Sequence, residues 1–361
     1  MPRPPLYVFA ILFAAVFDWL CLRQLLLNPV DYPQFYFASE LVNAGKVDQI
    51  YNTVAYEPLI ASAGVTLGKV SVYFNRPPFS ALLYAPLAWF SFRTGLWIFA
   101  SVNVALWALL VWKLPVWLQV PTHFRVWLVC FQPFLFSVGI CQDTLLLTLI
   151  CAYACFGLMR RNEAAAGGLL AMGLFKPHLI FLLPVVLIVE RRWRALTAFL
   201  ITAGFLGALS LALIGVRGME QWLLLLKAPT TDMVPELMGN LRALGIHYGP
   251  AAAVAAAIAA TAAGCLVFSY GNYAERMSAA LILALLVGPH TYVNDYCLLS
   301  IAALSTPSRM SRYAFIVPWI FFLPAANAMM AFVFIAIGSL LLMAGRYLPV
   351  TYASYRAVRY L

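Results

Sequence analysis

Long apolar runs, separated by short polar breaks, occupy nearly the whole of this 361-residue chain. Hydrophobic residues make up 64% of it and charged residues only 10%, whereas soluble domains carry roughly 25% charged residues. A water-soluble fold of this length cannot cover its surface with so few charges, so lipid must be the solvent for most of the chain. The sequence therefore predicts an all-α, polytopic membrane protein with a single domain over residues 1–361.

A helix that spans a membrane needs about 20 apolar residues. The apolar runs predict about 12 to 13 transmembrane helices, several of them shorter than an ordinary span. The predicted spans are 5–27, 77–92, 95–113, 125–141, 143–159, 164–176, 178–189, 194–216, 249–270, 277–288, 296–305, 313–329 and 331–346. Two stretches without a spanning pattern, 28–76 and 217–248, are predicted to be a large first loop and a second loop.

The net charge of +10 comes largely from arginines at segment ends. Cytoplasmic ends of membrane proteins are enriched in Lys and Arg, so the face that carries these residues is predicted to be cytoplasmic. The arginines concerned are Arg160, Arg161, Arg191, Arg192, Arg194, Arg276, Arg309, Arg312, Arg346, Arg356 and Arg359. Both loops then lie on the opposite, extracytoplasmic face. The alternation fails by one between residues 95 and 142, so one segment there is expected to be re-entrant.

Asp31 opens the first loop, directly after the first predicted span. A carboxylate at a membrane boundary can act as a general base, because partial burial raises its pKa toward the working range. The alternative is that Asp31 caps a helix that starts near Pro33. Tyr36 belongs to an aromatic group that forms either an interfacial belt or a wall on which a sugar stacks.

Several cations lie at breaks on the same predicted face. Arg76 precedes a helix start, where it can clamp a phosphate or extend to the lipid headgroups. Lys176 lies before Pro177 between two short apolar runs, where it can neutralise a phosphate or extend to the lipid headgroups. His290 can donate to a phosphate or hold a proton, or be structural, and Asp295 either orients it or caps the next helix.

The remaining polar breaks are less specific. Gln142 and Asp143 follow Gly139 at one of them, and the second loop carries Asn240 and Arg242. The sequence contains neither a G-x-G-x-x-G motif nor a P-loop. An enzyme acting at this face would therefore need a donor that is already in the membrane, and a lipid-linked phosphate sugar fits both the cations and the access from lipid.

Taken in order, these motifs resemble glycosyltransferase family 87, the polyprenol-phosphate-mannose-dependent α-mannosyltransferases, which have the GT-C membrane fold. The matching residues are Asp31, Tyr36, Ala38, Gly45, Tyr51, Asn52, Pro77, Pro78, Pro86, Leu87, Gly139, Gln142, Lys176, Pro177, Arg191–Arg194, Pro289, His290 and Asp295. Two departures add positive charge. Arg76 replaces an aromatic or apolar residue, and Arg242 occupies a position where the family often has Ser.

The resemblance implies a hexosyltransferase that inverts the anomeric centre. It would move a hexose, mannose first, from a polyprenyl-phosphate donor to a lipid-linked glycan or glycolipid acceptor, at the extracytoplasmic face of a cell inner membrane. Asp31 and His290 would be catalytic, and Lys176, Arg76 and His290 would bind the donor phosphate. Substrate contacts are expected from Tyr36, Gln142, Asn240, Arg242 and Asp295. No metal, cofactor or nucleic-acid partner is expected. The alternative function is a non-catalytic transporter or flippase of lipid phosphates or glycolipids, although no internal repeat supports it.

Overall fold

The computed structural model describes residues 31–64, 73–227, 238–305 and 325–348, with a few positions between 8 and 20. Regular structure in these ranges is helical, which confirms the predicted all-α class. Three helices are long and apolar enough to cross a membrane, namely Phe92–Trp117, Trp193–Lys227 and Pro250–Tyr270. Their outer surfaces expose large apolar side chains such as Ile201 (67% exposed) and Ile258 (65%), as expected for helices that face lipid. Most of the predicted spans 5–27 and 313–329 lies outside the described residues.

The α-helices are numbered here in chain order over the described residues. They are α1 Tyr32–Asn43, α2 Tyr56–Ser62, α3 Ala81–Tyr84, α4 Phe92–Trp117, α5 Phe124–Val129, α6 Gln132–Gly139, α7 Thr144–Ala152, α8 Glu163–Met172, α9 Pro177–Ile180, α10 Leu183–Val189, α11 Trp193–Lys227, α12 Leu241–Tyr248, α13 Pro250–Tyr270, α14 Tyr273–Val287, α15 Leu299–Ser305 and α16 Ala325–Gly345. Shorter 3₁₀ segments adjoin several of them, and a π-helical segment, Tyr153–Leu158, continues α7.

Helix α1 lies in the first predicted loop and packs through its aromatic side chains. Tyr32, Phe35 and Phe37 are fully buried and Tyr36 is 4% exposed. The Phe35 ring stacks on Tyr84 with 4.4 Å between ring centroids. These aromatics therefore form a buried core in the first predicted loop, and do not form the interfacial belt that was one of the two alternatives from the sequence.

Residues 77–92 do not form the spanning helix predicted for them. They fold into a 3₁₀ turn, α3 and a second 3₁₀ segment, Ala85–Trp89. The whole stretch stays beside α1, because Ser39 Oγ donates to Tyr84 O (2.7 Å) and Tyr36 OH donates to Phe90 O (2.8 Å). The middle and the end of the segment are thus held against the same short helix. The segment that does not cross is therefore 77–92, whereas the sequence predicted a re-entrant segment between residues 95 and 142.

The remaining helices run between two ends of the bundle. At one end, which we call the break end, the chain turns at residues 140–143, 176 and 288–292. At the other, the arginine end, the end of α4, the π-helical segment, the α10–α11 turn and the start of α14 meet around one cavity. With 77–92 removed from the spans, the crossings from α4 to α15 alternate between these two ends, when α5 with α6, α7 with the π-helical segment, and α9 with α10 each count as one crossing and the eight-residue α12 is left out.

Helix α11 extends eleven residues beyond the predicted span 194–216, into the predicted second loop. Gly215 interrupts it with φ 66° and ψ −179°, a conformation that only glycine adopts readily. Beyond this kink Trp222 Nε1 donates to Asn75 O at 3.5 Å, so α11 reaches the chain just before Arg76. Residues 228–237 of the predicted loop lie outside the described residues.

Candidate active site

Two buried cations and two buried carboxylates meet at the break end. Asp143 Oδ1 lies 3.0 Å from both Arg76 Nη2 and Lys176 Nζ, and Lys176 Nζ donates to Asp295 Oδ1 at 2.9 Å. All four residues are at least 92% buried. The carboxylates thus lie between the two cations, and the two negative and two positive charges of the cluster balance.

Neutral polar side chains complete the cluster. Tyr84 OH donates to Asp143 Oδ2 at 2.7 Å. Thr144 Oγ1 accepts from Lys176 Nζ and from Asn294 Nδ2, and donates to Asp295 Oδ1 at 3.2 Å. Each carboxylate oxygen thus has a partner, as buried polar groups require.

Asp31 stands at the edge of this cluster and differs from the other two carboxylates. It occupies the N-cap position of α1, but its side chain makes no capping hydrogen bond. Gln34 Nε2 donates to Asp31 Oδ1 over a long 3.4 Å, and the Gln142 side chain also hydrogen-bonds the carboxyl group. Asp31 is partly exposed and has no ion-pair partner within 4.0 Å among the described residues. The capping alternative is therefore not supported by the side-chain geometry.

Burial raises the pKa of Asp31 above its ordinary value of 3.8. The hydrogen bond from Gln142 and the charges of Arg76 and Lys176 offset only part of that rise. Gln142 links the two regions, because its Oε1 accepts from Arg76 Nη2 (3.3 Å) and from Lys176 Nζ (3.5 Å). With its oxygen held by cations, its amide group is available to donate to Asp31.

Two buried donors near the cluster have no hydrogen-bond partner in the described structure. They are Arg76 Nε and His178 Nε2. Lys176 differs, since four acceptors, on Asp143, Thr144, Asp295 and Gln142, surround its Nζ and occupy its three N–H groups. An anionic ligand at this site would therefore meet the free N–H group of Arg76 Nε, and His178 in the tautomer that is protonated at Nε2, rather than Lys176.

His290 lies in the turn after α14 and is half-buried. Burial, and then the positive charge of Arg242, lower the pKa of His290. Its imidazole is therefore neutral at pH 7 and can donate a hydrogen bond but supplies no full charge. Asp295 lies near enough to act on it electrostatically, while Asp295 Oδ2 accepts from Tyr292 N at 3.1 Å. Asp295 thus caps the next helical segment, as one of the two alternatives from the sequence predicted.

The other predicted site residues lie around this cluster. Asn240 is buried at the N-cap of α12, accepts from Ala243 N and donates to Gly288 O at 2.8 Å. Arg242, two residues later, is exposed. Tyr36 has its hydroxyl bonded to Phe90 O.

The sequence model of glycosyltransferase family 87 matches residues 74–300, which is more than half of the chain. The chain belongs to glycosyltransferase family 87. No curated protein and no solved structure matches it. The family predicted from the order of the motifs is thus confirmed, and a glycosyltransferase is the general activity that follows from it. The family 87 match contains every charged residue of the cluster except Asp31, which precedes it.

Within this family 87 chain, the structure brings together Asp31, Arg76, Gln142, Lys176 and Asp295, which lie far apart in sequence. It leaves Tyr36 and Arg242 outside the hydrogen-bonded cluster. Sequence reasoning passed over Tyr84, Asp143 and His178 as site residues. For Asp143 the available signal was an acidic residue beside a helix break in an apolar chain, since such residues are costly in a membrane unless they are paired.

Proposed function

We propose that this family 87 member is an inverting membrane hexosyltransferase with the GT-C architecture. In this proposal it moves a hexose, with mannose as the first candidate, from a polyprenyl-phosphate sugar to a lipid-linked glycan or glycolipid acceptor. One observation carries the proposal. The three carboxylates of the site divide into two buried, ion-paired groups and one, Asp31, that is partly exposed and has no ion-pair partner within 4.0 Å among the described residues.

Asp31 is the general base of this mechanism. The acceptor hydroxyl oxygen attacks the anomeric carbon on the side opposite the phosphate, and Asp31 takes up the hydroxyl proton. The bond between the anomeric carbon and the phosphate oxygen breaks, and polyprenyl phosphate leaves with the electron pair. The raised pKa of Asp31 favours this role, because a base works best when its pKa lies near the working pH.

Negative charge grows on the leaving phosphate, so donors placed beforehand lower the barrier. Arg76 Nε and His178 Nε2 are buried without partners, and we assign them to the phosphate together with His290. The contribution of Lys176 is mainly to hold Asp143, Asp295 and the Gln142 oxygen. This changes the role predicted for Lys176 from the sequence, because its N–H groups are already occupied.

The substrates are proposed to enter from the break end. Exposed Arg242, near His290, would contact a phosphate of the donor or of a lipid-linked acceptor. The Gln142 amide would keep Asp31 oriented toward the acceptor. Arg160, Arg161, Arg191 and Arg194 are exposed at the opposite end and have no carboxylate partner among the described residues. By the positive-inside rule, this supports our proposal that the break end faces the extracytoplasmic side of a cell inner membrane.

The test is transfer from purified full-length protein in lipid. A polyprenyl-phosphate donor carrying radiolabelled mannose is incubated with a membrane glycolipid extract, and labelled glycolipid is separated and counted. We expect transfer by wild type and at least a ~100-fold loss in Asp31→Asn. Asp48→Asn is the matched control, because Asp48 is an exposed aspartate of the same loop with no ion-pair partner in the described residues.

Equal transfer by wild type and Asp31→Asn would remove the base assignment. If several lipid-linked sugars bind but none is transferred, the chain acts on lipid phosphates without catalysis. That result would support the transporter alternative and contradict the enzyme proposal.

A further inference from the structure

A cavity lies at the arginine end, away from the candidate active site. Its volume is about 370 Å³, within the range of small-molecule sites. Trp117, Gln119, Arg160, Arg192 and Tyr273 are among the residues that line it. The π-helical segment Tyr153–Leu158 and α7 separate it from Thr144, so the cavity and the Asp143 cluster lie at opposite ends of the same helical run.

The cavity holds one cation that is fixed and one that is free. Arg192 Nη1 donates to Glu163 Oε1 at 2.6 Å, and its guanidinium carbon lies 5.6 Å from the centre of the Tyr273 ring. These contacts fix the plane of the guanidinium group before any ligand arrives. Arg160 is exposed and has no ion-pair partner in the part of the chain that the structure describes.

The backbone around the cavity departs from regular geometry at two places. The π-helical segment places Cys155 and Phe156 on the wall, and Tyr273 OH donates to the Cys155 carbonyl at 2.8 Å. Gln119 has φ 56°, a conformation that few residues other than glycine adopt. Such π-helical turns and strained residues concentrate at functional sites.

The charges at this end identify the class of ligand. Three arginines are paired with glutamates, Arg192 with Glu163, Arg276 with Glu190 and Arg346 with Glu275. Others at this end have no carboxylate partner in the described ranges, among them Arg160, Arg161, Arg191 and Arg194. The positive excess attracts anions, and apolar wall residues such as Trp117 and Phe156 suit the non-polar part of an amphiphile.

We propose that this cavity binds the phosphate-bearing headgroup of an anionic membrane lipid. Arg192, held by Glu163 and Tyr273, and the free Arg160 contact the phosphate, while the glycerol and first acyl carbons lie against the apolar wall. The proposal does not depend on the proposed glycosyl transfer.

Native mass spectrometry of the full-length protein tests it. The protein is released from phosphatidylcholine nanodiscs prepared with or without phosphatidylglycerol, and retained lipid is measured. Wild type should retain phosphatidylglycerol in preference to phosphatidylcholine. Arg160→Gln should weaken this retention about fivefold, the effect expected for one basic residue near an anionic surface, and Arg160→Lys should restore much of it.

Arg194→Gln is the control, because Arg194 is an exposed arginine at the same end that does not line the cavity. Equal losses in Arg160→Gln and Arg194→Gln would overturn the proposal, since they would indicate diffuse attraction to the surface. No loss in Arg160→Gln would overturn it too. Displacement of the lipid by millimolar inorganic phosphate would instead identify a soluble phosphate ligand and contradict a lipid site.

Discussion

Replacement of Asp143 by Asn should destabilise the protein severely. The carboxylate lies 3.0 Å from both Arg76 and Lys176 and accepts from Tyr84 at 2.7 Å. Asn keeps the shape but removes the charge, and Asp295 then remains to balance two buried cations. Breaking a buried ion pair by removal of one partner costs about 3–5 kcal/mol. Since Asp295 still holds Lys176, we expect a loss near 3 kcal/mol in the free energy of unfolding.

The measurement is unfolding of the purified protein in mixed micelles with increasing SDS, followed by circular dichroism. Asp31→Asn is the comparison within the same site. The pKa of Asp31 is raised in the folded state. The stability that the protonated carboxyl group contributes is therefore complete below the pKa of the unfolded state, and it is lost as pH rises through the pKa of the folded state. Near neutral pH Asp31→Asn should therefore cost no stability, although it abolishes transfer. Equal destabilisation by the two substitutions would refute the division between paired and unpaired carboxylates.

Three further predictions follow from the described contacts. The value of kcat/KM should fall as pH falls, because Asp31 must be deprotonated to act as the base. Burial raises the pKa of Asp31, so the midpoint of this fall should lie above 3.8, the ordinary pKa of Asp. A pH–rate profile checks this, and a midpoint at or below 3.8 would contradict it. Tyr84→Phe removes a hydrogen bond to the buried Asp143 carboxylate and should lower the free energy of unfolding by about 1.5–3 kcal/mol in the SDS assay, whereas Tyr248→Phe, at an exposed tyrosine, should have little effect. Gly167→Ala should lower stability and folded yield more than Gly204→Ala. A Cβ at Gly167 would overlap the Ala195 carbonyl, whereas a Cβ at Gly204 would meet no atom within 4 Å. Equal yields from the two variants would argue against this packing of α8 on α11.

The fold class could be predicted because lipid imposes a simple rule on composition. The spans predicted from runs of apolar residues have bounds close to those of α4 and α13, and the span predicted from residue 194 begins close to the start of α11. The prediction of a span over 77–92 was wrong because this segment is as apolar as a membrane-spanning helix. What distinguishes it is the packing of Tyr84 and Phe90 against α1, a long-range contact that hydropathy does not register.

The candidate site was partly accessible to sequence reasoning. Arg76 and Lys176 drew attention because isolated cations in apolar surroundings are costly. Their partner Asp143 was undervalued because the sequence does not show that residues 67 and 33 positions away meet it. The pairing also changes the interpretation of Lys176, whose donors are occupied by this chain rather than left free for a phosphate.

A physical reason brings the breaks in the helices to one place. A helix that stops inside an apolar medium leaves backbone groups without partners, and each of these costs several kcal/mol unless protein or water satisfies it. Here the breaks satisfy one another, since Asp295 accepts from Tyr292 N and Asn240 donates to Gly288 O. The same low-dielectric surroundings strengthen the attraction between Lys176 and its carboxylates. Once the breaks converge, a buried polar site forms as a consequence, and a carboxylate at its edge that no cation neutralises is the group left available for chemistry.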